Sequence, residues 1–352
     1  MNKSIIYISV VCLLLFSCGQ KQTKPITFIE EVRLKTTPVK SQGKSSLCWI
    51  YSMLATIETE HLMQGDSVNL SEDFLARMWL TSSTRISYLN QGKASVNMRG
   101  TAMMTLRLLE QYGVEPHDSY HLKKDLNYHV LCNKLTQMAT SASQKHQGIR
   151  KLDEEVNKLL DDEIDFLPRF VFMAGAEYTP LEFGHSVCRE NEYEAVTSFN
   201  HHPFGKKFVL EIPDNQLKDE VLNVPIDTLM KRIDSSIRHG HPVCWEGDVS
   251  EAGFSNNVGV AKLTREQSQQ LAKAKDKQQL RQKAFEQFQT TDDHCMMLMG
   301  IAHDAKGNKY YIAKNSWGED NPYGGFMYVS EEYILMKTIL VILKNEETPN
   351  HI

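Results

Sequence analysis

Residues 37–49, Thr37-Pro38-Val39-Lys40-Ser41-Gln42-Gly43-Lys44-Ser45-Ser46-Leu47-Cys48-Trp49, run into a cysteine at the start of a periodic segment. Ile50, Met53, Leu54 and Ile57 recur at helical spacing, so the chain from about Cys48 to His61 is read as an amphipathic helix, with Ser45 or Ser46 able to cap it. A thiol in the first turn sits at the positive end of the helix dipole, and a nearby imidazolium lowers its pKa further, which makes a nucleophile. A cysteine at a helix start is also commonly an inert buried thiol, so the rest of the chain must decide. Gln42, six residues earlier, can set its carboxamide beside the sulfur and, with the Cys48 N–H, donate to the oxyanion of a tetrahedral intermediate.

The complement lies near the other end, in Asp293-His294-Cys295 and then Asn315-Ser316-Trp317-Gly318. An imidazole can serve a thiol first as base and then as acid, and an asparagine oxygen accepting from its second nitrogen fixes the tautomer. Trp317 can shield that pair from water. A lone histidine beside an apolar run such as Met296 to Ile301 is commonly a core residue, and His303 is a nearby competitor. The Asn-Ser-Trp-Gly on the next strand favours His294. The candidate catalytic set is therefore Cys48, His294 and Asn315, with Gln42 as oxyanion donor.

These motifs resemble the papain superfamily of cysteine peptidases, with two local departures. Ser46 stands where the family has Gly two before the nucleophile, and Ser45 replaces the neighbouring disulfide cysteine. His294 and Asn315 follow Cys48 by 246 and 267 residues, against about 130–150 in papain-like enzymes. An insertion at about residues 120–220, and a second at 262–289, account for the difference. Thr179-Pro180-Leu181-Glu182-Phe183, Gly247-Asp248-Val249 and Asn315-Ser316-Trp317-Gly318-Glu319-Asp320 narrow the resemblance to the bleomycin hydrolase, or aminopeptidase C, family.

That resemblance implies a papain-like α+β fold acting on peptides with no cofactor and no metal, and a hexameric cage. It places Gly100, in Met98-Arg99-Gly100-Thr101, at the family's Gly-Gly position, whose backbone pairs with the substrate like an added strand. Arg99 replaces the first of those glycines, and Gly100 equally suits a helix start. Arg99, Asp293 and Trp317 are the other candidate substrate-cleft residues. In the family a C-terminal arm brings its carboxylate to the substrate's amine. Here Lys344 to Ile352 supply nine residues, at most about 30 Å when extended. The expectation is an aminopeptidase, with internal cleavage as the alternative.

The remaining pattern is helices first and an antiparallel sheet last, an α+β order. Asn69-Leu70-Ser71-Glu72 opens a helix; Gly100 to Tyr112 forms another, ended by Gly113; Ile149 to Leu160 reads as a charged, solvent-facing helix. Ile226, Leu229, Met230, Ile233 and Ile237 share the helical period, and Gly240-His241-Pro242 stops that helix before a strand at Val243 to Trp245. Lys262 to Gln289, nearly free of Gly and Pro, predicts one long exposed helix. His294 to Ile301, Tyr310 to Lys314, Gly325 to Val329 and Ile339 to Leu343 read as strands.

With 352 residues, 41% hydrophobic and 24% charged, the chain can bury a sizeable core, which excludes disorder as its main state. A formal net charge of -5 leaves no basic excess, against a general nucleic-acid binder. Lys3 precedes an apolar run from Ile5 to Phe16, too short to span a bilayer stably but of signal-peptide length. It ends in Leu15-Phe16-Ser17-Cys18, which resembles a bacterial lipobox. Residues 1–17 are thus read as a lipoprotein signal, Cys18 as lipidated in the cell envelope, 18–36 as tether, and 37–352 as the peptidase domain. Five thiols remain after Cys18, with no CxxC pair. His201-His202-Pro203, with no acidic or cysteine partner at useful spacing, reads as a loop rather than metal ligands. Two other functions stay open: a catalytically idle papain-like domain that binds peptide in the envelope, and a thiol amidase or acyl transferase on the same fold.

Overall fold

The computed structural model describes residues 25–122, 126–173 and 175–345. Residues 1–17, read as a signal peptide, with Cys18, the Gly19 to Lys24 stretch and residues 346–352 of the tail, lie outside the described residues.

The helix that follows the opening loop spans Cys48–Gln64 and ends at Gly65 in the left-handed conformation that glycine adopts freely (φ 90°). It is not amphipathic. Trp49 through His61 are buried apart from Tyr51, so this is a central helix, enclosed on nearly all sides. Its polar residues survive burial because each finds a partner. Lys40 binds both Glu58 and Glu72, Thr37 donates to Glu58, and Lys344 reaches Glu60. Neither Ser45 nor Ser46 caps the helix; Leu47 occupies the N-cap with no side-chain bond. Ser45 instead donates its hydroxyl to the Gln42 carbonyl, 2.6 Å away, and tightens the loop.

Two further helices pack on the central one. Glu72–Leu89 starts at Ser71, whose Oγ accepts from the Phe74 N–H, and Ala102–Tyr112 ends at Gly113. Ile149–Glu163 buries only Leu152, Val156 and Leu160, as its charged sequence predicts.

The described residues form an eleven-stranded sheet. Its middle runs, by neighbour, Thr338–Lys344, Val243–Gly247, His294–Asp304, Lys309–Lys314 and Phe326–Ser330, antiparallel throughout. The His294–Asp304 strand is long enough to serve two partners on one edge. Val243–Gly247 pairs with its first half and Phe28–Arg33 with its second. Residues 28–33, inside the stretch read as tether, are thus part of the sheet; Phe28 stacks on Tyr328 at 3.9 Å. The first insertion carries helices, a small two-stranded sheet of Val171–Met173 and Ala176–Tyr178, and the strands Tyr193–Thr197 and Lys207–Val209, which with the following Glu220–Asn223 extend the far edge of the large sheet.

Strand alternation divides the two faces. Cys244, Cys295, Leu340 and Ile342 join the core of the central helix, whereas Val243, Trp245, Met296 and Leu298 pack on the other side with the Ile226–Arg238 helix. The second insertion differs from the single helix predicted. It forms Arg265–Lys273 and Lys277–Glu286, each with its own side-chain cap, at Thr264 and Asp276. The break lets Arg281 turn inward over the Phe199 ring and donate to the Ser198 and Met336 carbonyls, a burial one straight exposed helix could not provide.

Candidate active site

The sheet and the central helix meet at Cys48. His294 opens the middle strand with its ring buried, and Asn315 follows the adjacent strand, so antiparallel pairing sets the two side by side. His294 Nε2 lies 2.8 Å from Asn315 Oδ1. With Nε2 so engaged, Nδ1 is the nitrogen left for Cys48, whose sulfur is within hydrogen-bonding reach of the ring. Asn315 Oδ1 also accepts the Ser316 N–H, and its Nδ2 donates to Asn256, which fixes the amide. Trp317 lies over the imidazole, with ring centroids 4.5 Å apart, and is itself braced edge-on by Phe254. His303 is far along the same strand, beside Glu31.

The Cys48 thiol is held well below its usual range. The Cys295 thiol donating toward it contributes most, and the hydrogen bond and charge of His294 add to that against the cost of burial. His294 is held above the usual imidazole range: burial pulls it down, but the contact with Cys48, with help from Asn315 and Asp293, outweighs it. The two shifts together describe a thiolate–imidazolium pair. Cys295, carried only as one of the spare thiols by sequence reasoning, is therefore part of the site.

Gln42 sits at the mouth of the loop. Its Oε1 accepts the Ser316 hydroxyl at 2.6 Å and its Nε2 donates to the Ser45 carbonyl at 2.6 Å, which spends one of the two amide hydrogens. The Gln42 N–H is tied to Ser316 O, joining the loop to the strand that follows Asn315.

Gly100 is buried against the Trp49 ring, where a Cβ would lie 2.9 Å from Cε2, and the Trp49 indole donates to the Met98 carbonyl. Arg99 points elsewhere: it pairs with Asp214 at 2.7 Å, while Gln216 grips its carbonyl. Asp293 is exposed and occupied, one oxygen accepting from the Val249 N–H and the other from the Thr291 hydroxyl. Glu246, Asp292 and Asp214 also gather near Cys48, and sequence reasoning missed all three. A lone acid directly after the apolar run Val243 to Trp245 was the available signal for Glu246.

The His201-His202 pair does acquire an acidic partner. Glu211 Oε2 lies 2.9 Å and 3.2 Å from the two Nε2 atoms. The surroundings still disfavour a cation. Gln282 Oε1 accepts the Asn200 N–H, so its Nε2 faces His201 Nδ1 and makes that nitrogen the acceptor. His201 Nε2 then carries the proton and offers Glu211 an N–H, not a lone pair to a metal.

Residues 171–352 match the Peptidase C1-like family. Human bleomycin hydrolase is 20% identical over 375 residues, covering 90% of this chain and 82% of its own length. Aminopeptidase C of Lactococcus lactis subsp. cremoris is 22% identical over 373 residues, covering 89% and 82%. The crystal structure of PepW from Lactobacillus rhamnosis HN001 superposes with a TM-score of 0.70 at 16% identity, over 92% of this chain and 83% of that one, and so shares the fold. From the match across its C-terminal half, which contains the His294 and Asn315 strands, the chain belongs to the Peptidase C1-like family and is a papain-like cysteine peptidase.

Proposed function

We propose that the protein is an aminopeptidase in which Cys48 is the nucleophile, His294 the acid and base, Asn315 the orienter and Gln42 an oxyanion donor. The observation that carries this is the Cys48–His294–Asn315 line, with the imidazole fixed at 2.8 Å by the asparagine oxygen. Cys48 Sγ attacks the scissile carbonyl, and the charge that forms on oxygen is taken by the Cys48 N–H and the second Nε2 hydrogen of Gln42. His294 then gives its proton to the leaving amine, and later removes one from the water that hydrolyses the thioester. Asn315 holds the ring without taking up the proton, the part an acidic residue plays in other triads. The likeness to aminopeptidase C of Lactococcus lactis supports removal of N-terminal residues.

Two measurements test this. Labelling by an epoxysuccinyl inhibitor followed by intact mass should add one adduct to the wild type and none to Cys48→Ala, which should also lose turnover. A Cys48→Ala protein cleaving at the wild-type rate would refute the assignment. Fluorogenic peptides with a free amine should be cleaved faster than their N-acetylated counterparts; equal cleavage would point to an endopeptidase.

We further propose that the mature chain is anchored in the bacterial envelope by lipid on Cys18. Among the described residues no helix is long and apolar enough to cross a membrane, and stable anchoring through lipid takes more than one acyl chain. Cys18→Ser should move the protein from the detergent phase to the aqueous phase, and its persistence in detergent would refute the anchor.

A further inference from the structure

The acids of the central helix region are neutralised by lysines: Lys40 serves Glu58 and Glu72, and Lys344 serves Glu60. Glu246 is not. It lies in the Val243–Gly247 strand two residues from Cys244, so alternation turns both toward the central helix, where Cys244 Sγ is 3.3 Å from Ser52 Oγ. Its partner across the strands is Cys295, the residue after His294. Its Oε2 accepts the Ala102 N–H at 3.1 Å, at the start of the helix that follows Arg99, Gly100 and Thr101. The carboxyl is therefore enclosed between the Gly100 segment, Cys295 and Cys48.

Glu246 is fully buried, yet among the described residues its Oε1 has no hydrogen-bond donor, and neither has Asp292 Oδ2. The Thr101 hydroxyl, adjacent to Ala102, is buried and equally without a partner. The Asp292 side chain lies against Glu246, and although protein atoms cover the two unpartnered oxygens, Asp292 as a whole is half-buried and so borders solvent. Arg99, the cation of this region, is committed to Asp214. Burial pushes Glu246 up to about 7, and burial with the charge of Glu246 holds Asp292 well above the carboxylate range. Two facing acids in this state share a proton. Leaving a buried and a half-buried acid side by side near a nucleophile without a cation costs stability.

We infer that Glu246 and Asp292 form an ammonium-binding subsite beside Cys48, one that takes a positively charged amino group on the substrate residues preceding the scissile bond. The inference rests on the reading of Cys48 as nucleophile and of the Gly100 segment as the wall along which the substrate lies. On binding, the proton shared by the two carboxyls leaves to solvent and the ammonium takes its place, donating to Glu246 Oε1 and Asp292 Oδ2, the two oxygens that lack donors. The same chemistry is offered by a free N-terminal amine and by a lysine side chain.

The test compares wild type, Glu246→Gln, Asp292→Asn and the double variant on four fluorogenic amides: free-amine and N-acetylated alanine, and N-acetyl-Lys-Ala and N-acetyl-norleucine-Ala. If the N-terminal amine is bound, the double variant lowers the free-to-acetylated ratio of kcat/KM by roughly 10- to 100-fold. If a lysine side chain is bound, the Lys-to-norleucine ratio falls by a similar factor. Both ratios unchanged would overturn the subsite. A second readout does not depend on peptide cleavage: Cys48 modification by cationic 2-aminoethyl methanethiosulfonate against neutral methyl methanethiosulfonate. Wild type should favour the cationic reagent and the double variant should lose that preference; an equal preference in both would overturn the subsite. A wild type that shows the preference but cleaves no peptide would refute the peptidase reading while supporting the subsite.

Discussion

Replacing Gly100 by alanine adds one methyl group at the point where the segment proposed to line the substrate rests on the central helix. The new carbon would lie 2.9 Å from Trp49 Cε2 and 3.0 Å from both Trp49 Cζ2 and Met104 Cε. Carbon atoms in favourable contact stand about 3.5–4.0 Å apart, so roughly 0.5–1 Å must be found somewhere. The Met104 terminus can swing away. Trp49 cannot: it is 1% exposed, its indole N–H is bonded to the Met98 carbonyl at 2.9 Å, and its ring meets Trp79 edge-on. The Gly100 backbone itself must therefore move outward, into the groove. Overpacking of this kind costs about 1–3 kcal/mol of stability, and an ångström of misplacement beside a reacting centre can cost on the order of 10²-fold in rate. Gly100→Ala should lower the urea unfolding free energy by that amount and kcat/KM by roughly 10- to 100-fold, while Cys48 alkylation by iodoacetamide, a small reagent that needs no groove, stays within about twofold. Adding Trp49→Phe should recover part of the loss, so that the double variant is less destabilised than the sum of the singles. Wild-type stability together with wild-type kcat/KM for Gly100→Ala would refute the argument.

Gln42→Ala should lower kcat by roughly 10²- to 10³-fold with a smaller change in KM, the usual cost of losing one oxyanion donor; an unchanged rate would make Gln42 a loop brace through its Ser45 and Ser316 bonds alone. Because the folded-state pKa of Cys48 is lowered, its thiolate persists as pH falls below the ordinary thiol value near about 8.5 and is lost only on passing the lowered one. Iodoacetamide rates measured against pH should show this, and Cys295→Ala should move the midpoint upward while Cys295→Ser, which keeps a donor, moves it less; equal midpoints for wild type and Cys295→Ala would contradict the role given to Cys295. Gly113→Ala should cost more than about 3 kcal/mol, since its Cβ would fall 1.9 Å from the Pro180 carbonyl at a φ of +74°. Urea unfolding measures this, and a loss below about 1 kcal/mol would mean the Gly113–Pro180 contact can open freely.

Much of the site was legible in the chain because its chemistry is carried by local words. A cysteine at a helix start with glutamine six residues before it, and a histidine and an asparagine on two neighbouring strands, need only secondary structure to acquire meaning, and the strand and helix periods around them were clear. The same was true of the helix opened by Asn69-Leu70-Ser71-Glu72 and of Gly113 as a helix end. Residues 28–33 were missed because a short strand of mixed polarity reads as tether until a partner strand is present to accept its hydrogen bonds. The Lys262 to Gln289 segment was read as one helix because composition says nothing about where a chain must turn to bury Arg281.

What the sequence determined by itself was therefore the α+β order, the identity of Cys48, His294, Asn315 and Gln42 as a candidate set, and the presence of long insertions between them. Tertiary structure alone decided what surrounds that set. Glu246 is opposite Cys295 through strand register, beside Asp292 through the loop that leads into His294, and under Ala102 through the packing of a distant helix. No spacing rule links those positions. Burial and proximity, the two factors that set the charge of a carboxyl or a thiol, arise only when segments far apart in the chain are packed together.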